Sequence, residues 1–178
     1  VLFFSIYIFG IWFYSHKLKK LPFIGNLTSA ILTITPFFAI FMYYKNFETV
    51  IFVHAIFLFL MISMRELTKD LENIKGDIAQ NYVTIPVAYG EKVSKIMLTV
   101  LACLTLIPAY LLLYEFEVGY MYIFFYLSIL LLGLFLILLW KSKNKMHYLI
   151  LHNILKIIIL AGVFSILLID VSVILNRI

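Results

Sequence analysis

The sequence predicts an all-α fold, a polytopic transmembrane helical bundle, on three observations. Hydrophobic residues make up 65% of the chain, mean hydropathy is +1.09 and charged residues are only 13%, where soluble domains carry about 25%. The apolar residues fall in uncharged runs close to the ~20 residues a helix needs to cross the hydrocarbon layer. Basic residues gather in alternate connections between those runs. Helices suit such a solvent because each satisfies its own backbone hydrogen bonds.

In chain order, residues 1–14 read as the end of one span, followed by complete spans at 21–44, 47–64, 96–114, 118–140 and 148–170. The first run begins at Val1 without an initiator methionine, a charged leader or a small-residue cleavage site, so it is not read as a signal peptide. The expectation is one transmembrane domain over 1–178, truncated at its N-terminus, with five full spans and part of a sixth. Pro36 and Pro108 fall inside spans and are expected to kink them. The single cysteine, Cys103, excludes an intramolecular disulfide framework and a cysteine-based metal site, and packing is its expected role.

Alternating spans divide the basic residues unequally. One side holds Lys17, Lys19, Lys20, Arg65, Lys69, Lys75, Lys92, Lys95, Lys141, Lys143 and Lys145, while the other holds Lys45 and Arg177. The positive-inside rule places segments 15–20, 65–95 and 141–147 in the cytoplasm, with the 45–48 and 115–117 turns and the C-terminus outside. An integral, multi-pass cell-membrane protein is expected, with anionic membrane lipids beside its basic loops. The net charge of +5 and pI near 9.2 are then explained without a nucleic-acid partner, for which the sequence shows no motif.

The 65–95 segment is the longest polar connection, and it holds Glu66, Asp70, Glu72 and Asp77 out of nine acidic residues. If the preceding helix continues past Met64, Glu66, Asp70, Asn73 and Asp77 share one face. Like charges at that spacing repel, and a divalent cation would reverse the sign. Mg²⁺ suits such a row because it takes a few carboxylate oxygens and completes its octahedron with waters and substrate phosphates. Gly76 is expected to break the helix, and "VTIPVAYGEK" to form an extended pass and turn. The competing reading is a solvated loop whose acids pair with Arg65, Lys69, Lys75 and Lys92. On spacing alone, the two stand level.

"RELTKDLENIKGDIAQNYVTIPVAYGEK" resembles the second aspartate-rich motif of the UbiA superfamily of intramembrane prenyltransferases, which typically runs R-E-x-x-K-D-x-E-D-x-x-G-D and then T-x-P-x-x-x-G. Asp70 and Asp77 fall on its first and third aspartates, Asn73 stands for the middle one, and Thr84, Pro86 and Gly90 match the trailing element. "YSHKLKKLPFIGNL" is similar to the superfamily's tyrosine-and-lysine segment leading to a Gly-Asn pair, here Tyr14, Lys17, Lys19, Gly25 and Asn26. The usual Tyr-x-x-x-Lys spacing lands on Leu18, which leaves Lys17 and Lys19 as alternatives. The resemblance implies a nine-helix protein whose first aspartate-rich motif precedes Val1, so that this chain alone is expected to be inactive.

What the resemblance further implies is Mg²⁺-dependent transfer of a polyprenyl group from a prenyl diphosphate to a membrane-associated acceptor. Asp70, Asn73 and Asp77 would hold the metal, with Asp70 and Asp77 as the catalytic pair. Tyr14, Lys17, Lys19, Asn26, Lys69, Lys75 and Lys156 would contact diphosphate or acceptor. The pattern is most similar to the branch that transfers geranylgeranyl to glycerol-phosphate lipids, and an aromatic quinone precursor is the other acceptor considered. Aromatic side chains among the spans could line the isoprenoid channel.

Other polar residues in spans are expected to sit near the interfaces: His54 and Asp170 at outer ends, His152 and Asn153 at an inner end, with Lys156 either snorkelling or facing the active-site mouth. Two other classes compete with the enzyme. A transporter would keep its ionisable site near the midplane, unlike this surface row. An inactive remnant would carry the motif without its partner.

Overall fold

The computed structural model describes residues 2–45, 47–116 and 118–165; Asp170, Arg177 and the end of the 148–170 run lie outside them. Helices α1 (Leu2–His16), α2 (Ile24–Tyr44), α3 (Thr49–Glu72), α4 (Ile74–Ala79), α5 (Ile85–Tyr114), α6 (Tyr122–Lys141) and α7 (Lys145–Ser165) are joined by short turns, two of them 3₁₀. No strand occurs among the described residues. Helices α3, α5, α6 and α7 are each long and apolar enough to cross a membrane, and α2 contributes the shorter apolar stretch Ile24–Ile40.

α3 is the central helix, packing against α2, α5 and α7, while α6 closes the bundle against α5 and α7. Its inward residues Met61, Met64 and Leu67 meet Leu98 and Leu112 of α5 and Leu151 and Leu155 of α7 in one core. Phe57 stands edge-on to Phe124 and Phe125, at 6.1 and 5.5 Å between ring centroids. The outer faces are equally apolar: Leu130, Ile137, Ile157 and Leu160 are exposed. Side chains that are apolar all round a helix belong where the surroundings are hydrocarbon.

Hydropathy located the spans but not the helix ends. α3 runs eight residues beyond the apolar run that stops at Met64, and α5 begins at Ile85, well before its run at 96. The 65–95 connection is therefore mostly helical, because a helix leaving the hydrocarbon continues wherever propensity and capping permit. Pro86 lies in the first turn of α5, where its missing N–H costs nothing. Of the expected extended pass only Val83 and Thr84 lack regular structure. Along α5 the one departure from helical dihedrals is Gly90, at φ 83° and ψ 169°, and the helix continues through Pro108. That φ is open to glycine and strained for other residues.

Cys103 does not pack in the core. It is exposed on the outer face of α5, because its helical phase sets it opposite the buried Ala102, Thr105 and Ala109.

Candidate active site

One end of the bundle carries a polar cavity of about 160 Å³, walled by the end of α1, the 17–23 turn, the start of α2, the end of α3, α4 and the approach to α5. Tyr14, Lys19, Asn26, Lys69, Asp70, Asn73 and Asp77 all line it, together with Glu66 and Thr84. The two resembling segments, about fifty residues apart in sequence, thus meet in one place. Lys17, Lys75 and Lys156 do not line it. Lys17 sits over the Phe13 ring, 5.9 Å from its centroid, and Lys75 and Lys156 are exposed.

The row of acids is assembled differently from a continuous helix. α3 stops at Glu72, Asn73 caps it at φ −111° and ψ 20°, and α4 restarts at Ile74. Backbone bonds nevertheless carry the spiral through, from Asn73 N–H to the Lys69 carbonyl at 3.1 Å and from Asp77 N–H to the Asn73 carbonyl at 3.0 Å. Glu66, Asp70, Asn73 and Asp77 consequently still face a common space. Gly76 does not end the helix as expected; it lies inside α4, at a point where a Cβ would come within 2.6–2.9 Å of the Asn73 side-chain amide.

The charges divide in a way the sequence left open. Glu66 is neutralised, by Arg65 at 2.9 Å and Lys69 at 2.6 Å, which is the pairing the loop reading anticipated. Asp70 and Asp77 form no ion pair among the described residues. Asp77, 7% exposed, accepts hydrogen bonds from Thr84 Oγ1 at 2.9 Å and Asn73 Nδ2 at 3.2 Å. Asp70 lies in the polar end of α3, beyond the apolar stretch, and burial raises its pKa from 3.8 to about 7. Lys69 and the nearby Asn26 amide oppose that rise, and the charges of Asp77 and Glu66 add to it. A cation beside Asp70 would favour its charged form and oppose this rise.

The donor set suits an open site for a hard cation. No group of three or more His, Cys, Asp or Glu side chains stands close enough to form a closed metal centre among the described residues. Two carboxylates and one amide oxygen fit Mg²⁺, which keeps several ligand positions for water or phosphate.

Around this core the structure adds residues that the sequence did not single out. Val83 N–H donates to the Lys20 carbonyl at 3.1 Å, the Lys19 ammonium lies 5.2 Å from the centroid of the Tyr82 ring, and Phe23 packs on Tyr89 at 5.4 Å. These three contacts join the 17–23 turn to the 82–90 segment over the cavity. Phe23 takes φ 58°, a conformation that bulky side chains rarely adopt and that clusters at functional sites. No local sequence signal marks it. Of the remaining polar residues, His54 bonds the Val50 carbonyl at 2.8 Å and Asn153 is exposed. His152 is 7% exposed, and its Nδ1 lies 2.9 Å from Oε2 of Glu72, the last residue of α3.

Further along the same helices a larger apolar groove of about 410 Å³ runs between α1, α2 and α3, lined by Phe3, Ile34, Phe38, Phe52, Ile56 and Phe59 among others. A polytopic helical membrane protein with a polar, carboxylate-bearing mouth and an apolar groove is the class that fold and site define.

The sequence pattern of the UbiA prenyltransferase family matches residues 1–169, and the chain belongs to that family. It is 36% identical over 118 residues to a digeranylgeranylglyceryl phosphate synthase of Methanobrevibacter smithii, covering 62% of this chain and 41% of that protein. A protein of the same name from Methanosphaera stadtmanae is 34% identical over 137 residues, covering 75% and 50%. One from Thermococcus sibiricus is 42% identical over 87 residues, covering 48% and 30%. The chain thus spans half or less of the length of these relatives. No solved structure matches it.

Proposed function

We propose that the protein containing this chain transfers a geranylgeranyl group from its diphosphate to the hydroxyl of a glycerol-phosphate lipid, using Mg²⁺, with the cavity on the cytoplasmic face. The observation that carries this reading is the meeting of Asp70 and Asp77, a half-buried and a buried carboxylate without an ion-pair partner among the described residues, with Lys19 and Lys69 in one cavity. A departing diphosphate is stabilised by positive charge, and this cavity offers lysines together with oxygen ligands that would hold a metal. The names of the relatives favour the glycerol-phosphate acceptor over a quinone precursor.

In the reaction the C1–O bond of the donor breaks, the acceptor oxygen bonds to C1, and diphosphate and a proton leave. Asp70, Asn73 and Asp77 would hold the cation, which supplies charge neutralisation for the leaving diphosphate. Lys19 and Lys69 would bind phosphate oxygens. Lys19 takes this role rather than Lys17 because only Lys19 lines the cavity. Glu66 keeps Lys69 in place through their 2.6 Å contact. The apolar groove suits the isoprenoid tail: from Asn26 to Met42, α2 extends about 24 Å at 1.5 Å per residue.

The test is a reconstitution of the gene product in lipid nanodiscs with geranylgeranyl diphosphate, Mg²⁺ and geranylgeranylglyceryl phosphate. Diphosphate release should require all three, and an aromatic acid should not replace the lipid. Asp70→Ala and Asp77→Ala should each lower kcat/KM by on the order of a hundredfold, the scale expected when a metal site is disturbed. Unchanged turnover in both variants would refute their role.

A further inference from the structure

Outside the cavity lies a second set of polar contacts that the proposed reaction does not use, and all of it converges on one face of α7. His152 Nδ1 stands 2.9 Å from Glu72 Oε2; a carboxylate can only accept, so Nδ1 carries the proton. One turn earlier on the same helix, the Tyr148 hydroxyl donates to Glu91 Oε2 at 2.8 Å. Lys95, a turn beyond Glu91, places its ammonium over the Tyr148 ring, 5.6 Å from the centroid, and donates to the Ser142 carbonyl at 2.6 Å. Both α7 side chains are buried, Tyr148 at 2% exposure and His152 at 7%.

The placement of the two acids gives these contacts their meaning. Glu72 is the last residue of α3 and Glu91 the first after the Gly90 break in α5. Between them lies the stretch that supplies Asn73, Asp77 and Thr84 to the cavity. Ahead of the first turns of α5 that stretch holds one six-residue helix, α4, too short to hold its own shape without anchored ends.

We propose that α7 braces the candidate site: His152 and Tyr148 are positioning residues that fix both ends of the segment carrying Asn73, Asp77 and Thr84. Neither touches the cavity, so their effect reaches the carboxylates through the backbone. The choice of histidine has a recognisable cost. Its Nε2 is buried with no hydrogen-bond partner among the described residues, a penalty that apolar packing alone would avoid. The Nδ1 bond to Glu72 is what that penalty sustains. The brace rests on the reading of this segment as part of the site, and its test does not depend on turnover.

The experiment is hydrogen–deuterium exchange on the gene product in lipid nanodiscs, comparing the 73–84 stretch with the buried parts of α3 and α5. His152→Leu removes the donor, and exchange across 73–84 should rise about tenfold, the scale of a lost hydrogen bond to a charged group. Tyr148→Phe keeps the ring under Lys95 and deletes only the hydroxyl. It should raise exchange about threefold, because Glu91 remains open to solvent. His152→Asn offers an amide N–H where Nδ1 stood, without an orphaned Nε2, and should restore protection. Mn²⁺ affinity, followed through the free-ion paramagnetic resonance signal, should fall in the same order. Exchange that stays unchanged in the Leu and Phe variants, rises equally through the whole bundle, or is not rescued by Asn would overturn the brace. A protein with the exchange pattern but no Mn²⁺ binding would keep the brace and overturn the cation reading, which separates the two.

Discussion

Thr84→Val isolates one bond at the centre of the site. Thr84 is the residue before α5 and sits at its N-cap with φ −71° and ψ 166°, yet its hydroxyl makes no capping bond. It donates instead to Asp77 Oδ2 at 2.9 Å. Valine keeps the β-branched shape, so the substitution deletes this bond without removing a cap or leaving a large void. Both residues are 7% exposed, so water replaces the lost donor poorly. A hydrogen bond to a charged group contributes about 1.5–3 kcal/mol, and stranding its buried acceptor costs at least as much. The assay is a double-mutant cycle with Asp77→Ala, which removes the acceptor, reading reversible unfolding in mixed micelles. The two changes should couple by about 1.5–3 kcal/mol. Coupling below about 0.5 kcal/mol, the usual error of additivity, would refute the argument that Thr84 is present to hold Asp77.

Other consequences follow from neighbouring contacts. Gly76→Ala improves helix propensity in α4 but drives a Cβ into the Asn73 amide. It should lower Mn²⁺ affinity about tenfold, on the scale of an altered ligand support, with little change in thermal stability; unaltered affinity would count against Asn73 as a ligand. Lys19→Ala should raise KM for the prenyl diphosphate roughly tenfold, as loss of a charge-assisted phosphate contact implies. Lys17→Ala and Lys156→Ala should leave KM within about twofold, because surface charges away from a site contribute little. Phe125→Ala, at a fully buried ring beside Phe57, Phe124 and His54, should destabilise the bundle by about 3–5 kcal/mol in the same unfolding assay.

Much of the site was legible because its residues belong to two short segments with their own patterns. The row from Glu66 to Asp77 shows at helical spacing, and Tyr14, Asn26 and the lysines stand in one connection. What spacing could not show is which acid is satisfied. Glu66 finds Arg65 and Lys69, while Asp70 is left with raised pKa, and nothing in a linear row of like residues separates the two. Lys17 and Lys19 were indistinguishable for the same reason. A 3₁₀ turn at Leu18–Lys20 sends the second toward Tyr82 and leaves the first over Phe13.

By itself the sequence determined the solvent, the helices and the polar end of the bundle. Hydropathy over ~20 residues is a local quantity, and the bilayer reads it locally. Tertiary structure decided everything that depends on two segments meeting. It brought the 14–26 segment to the carboxylates, set Cys103 outward, and tied Glu72 and Glu91 to α7 across 80 and 57 residues of chain. Such pairings depend on how α3 packs between α2, α5 and α7, and helix packing is fixed by side-chain shape over whole faces. No window of sequence contains both partners.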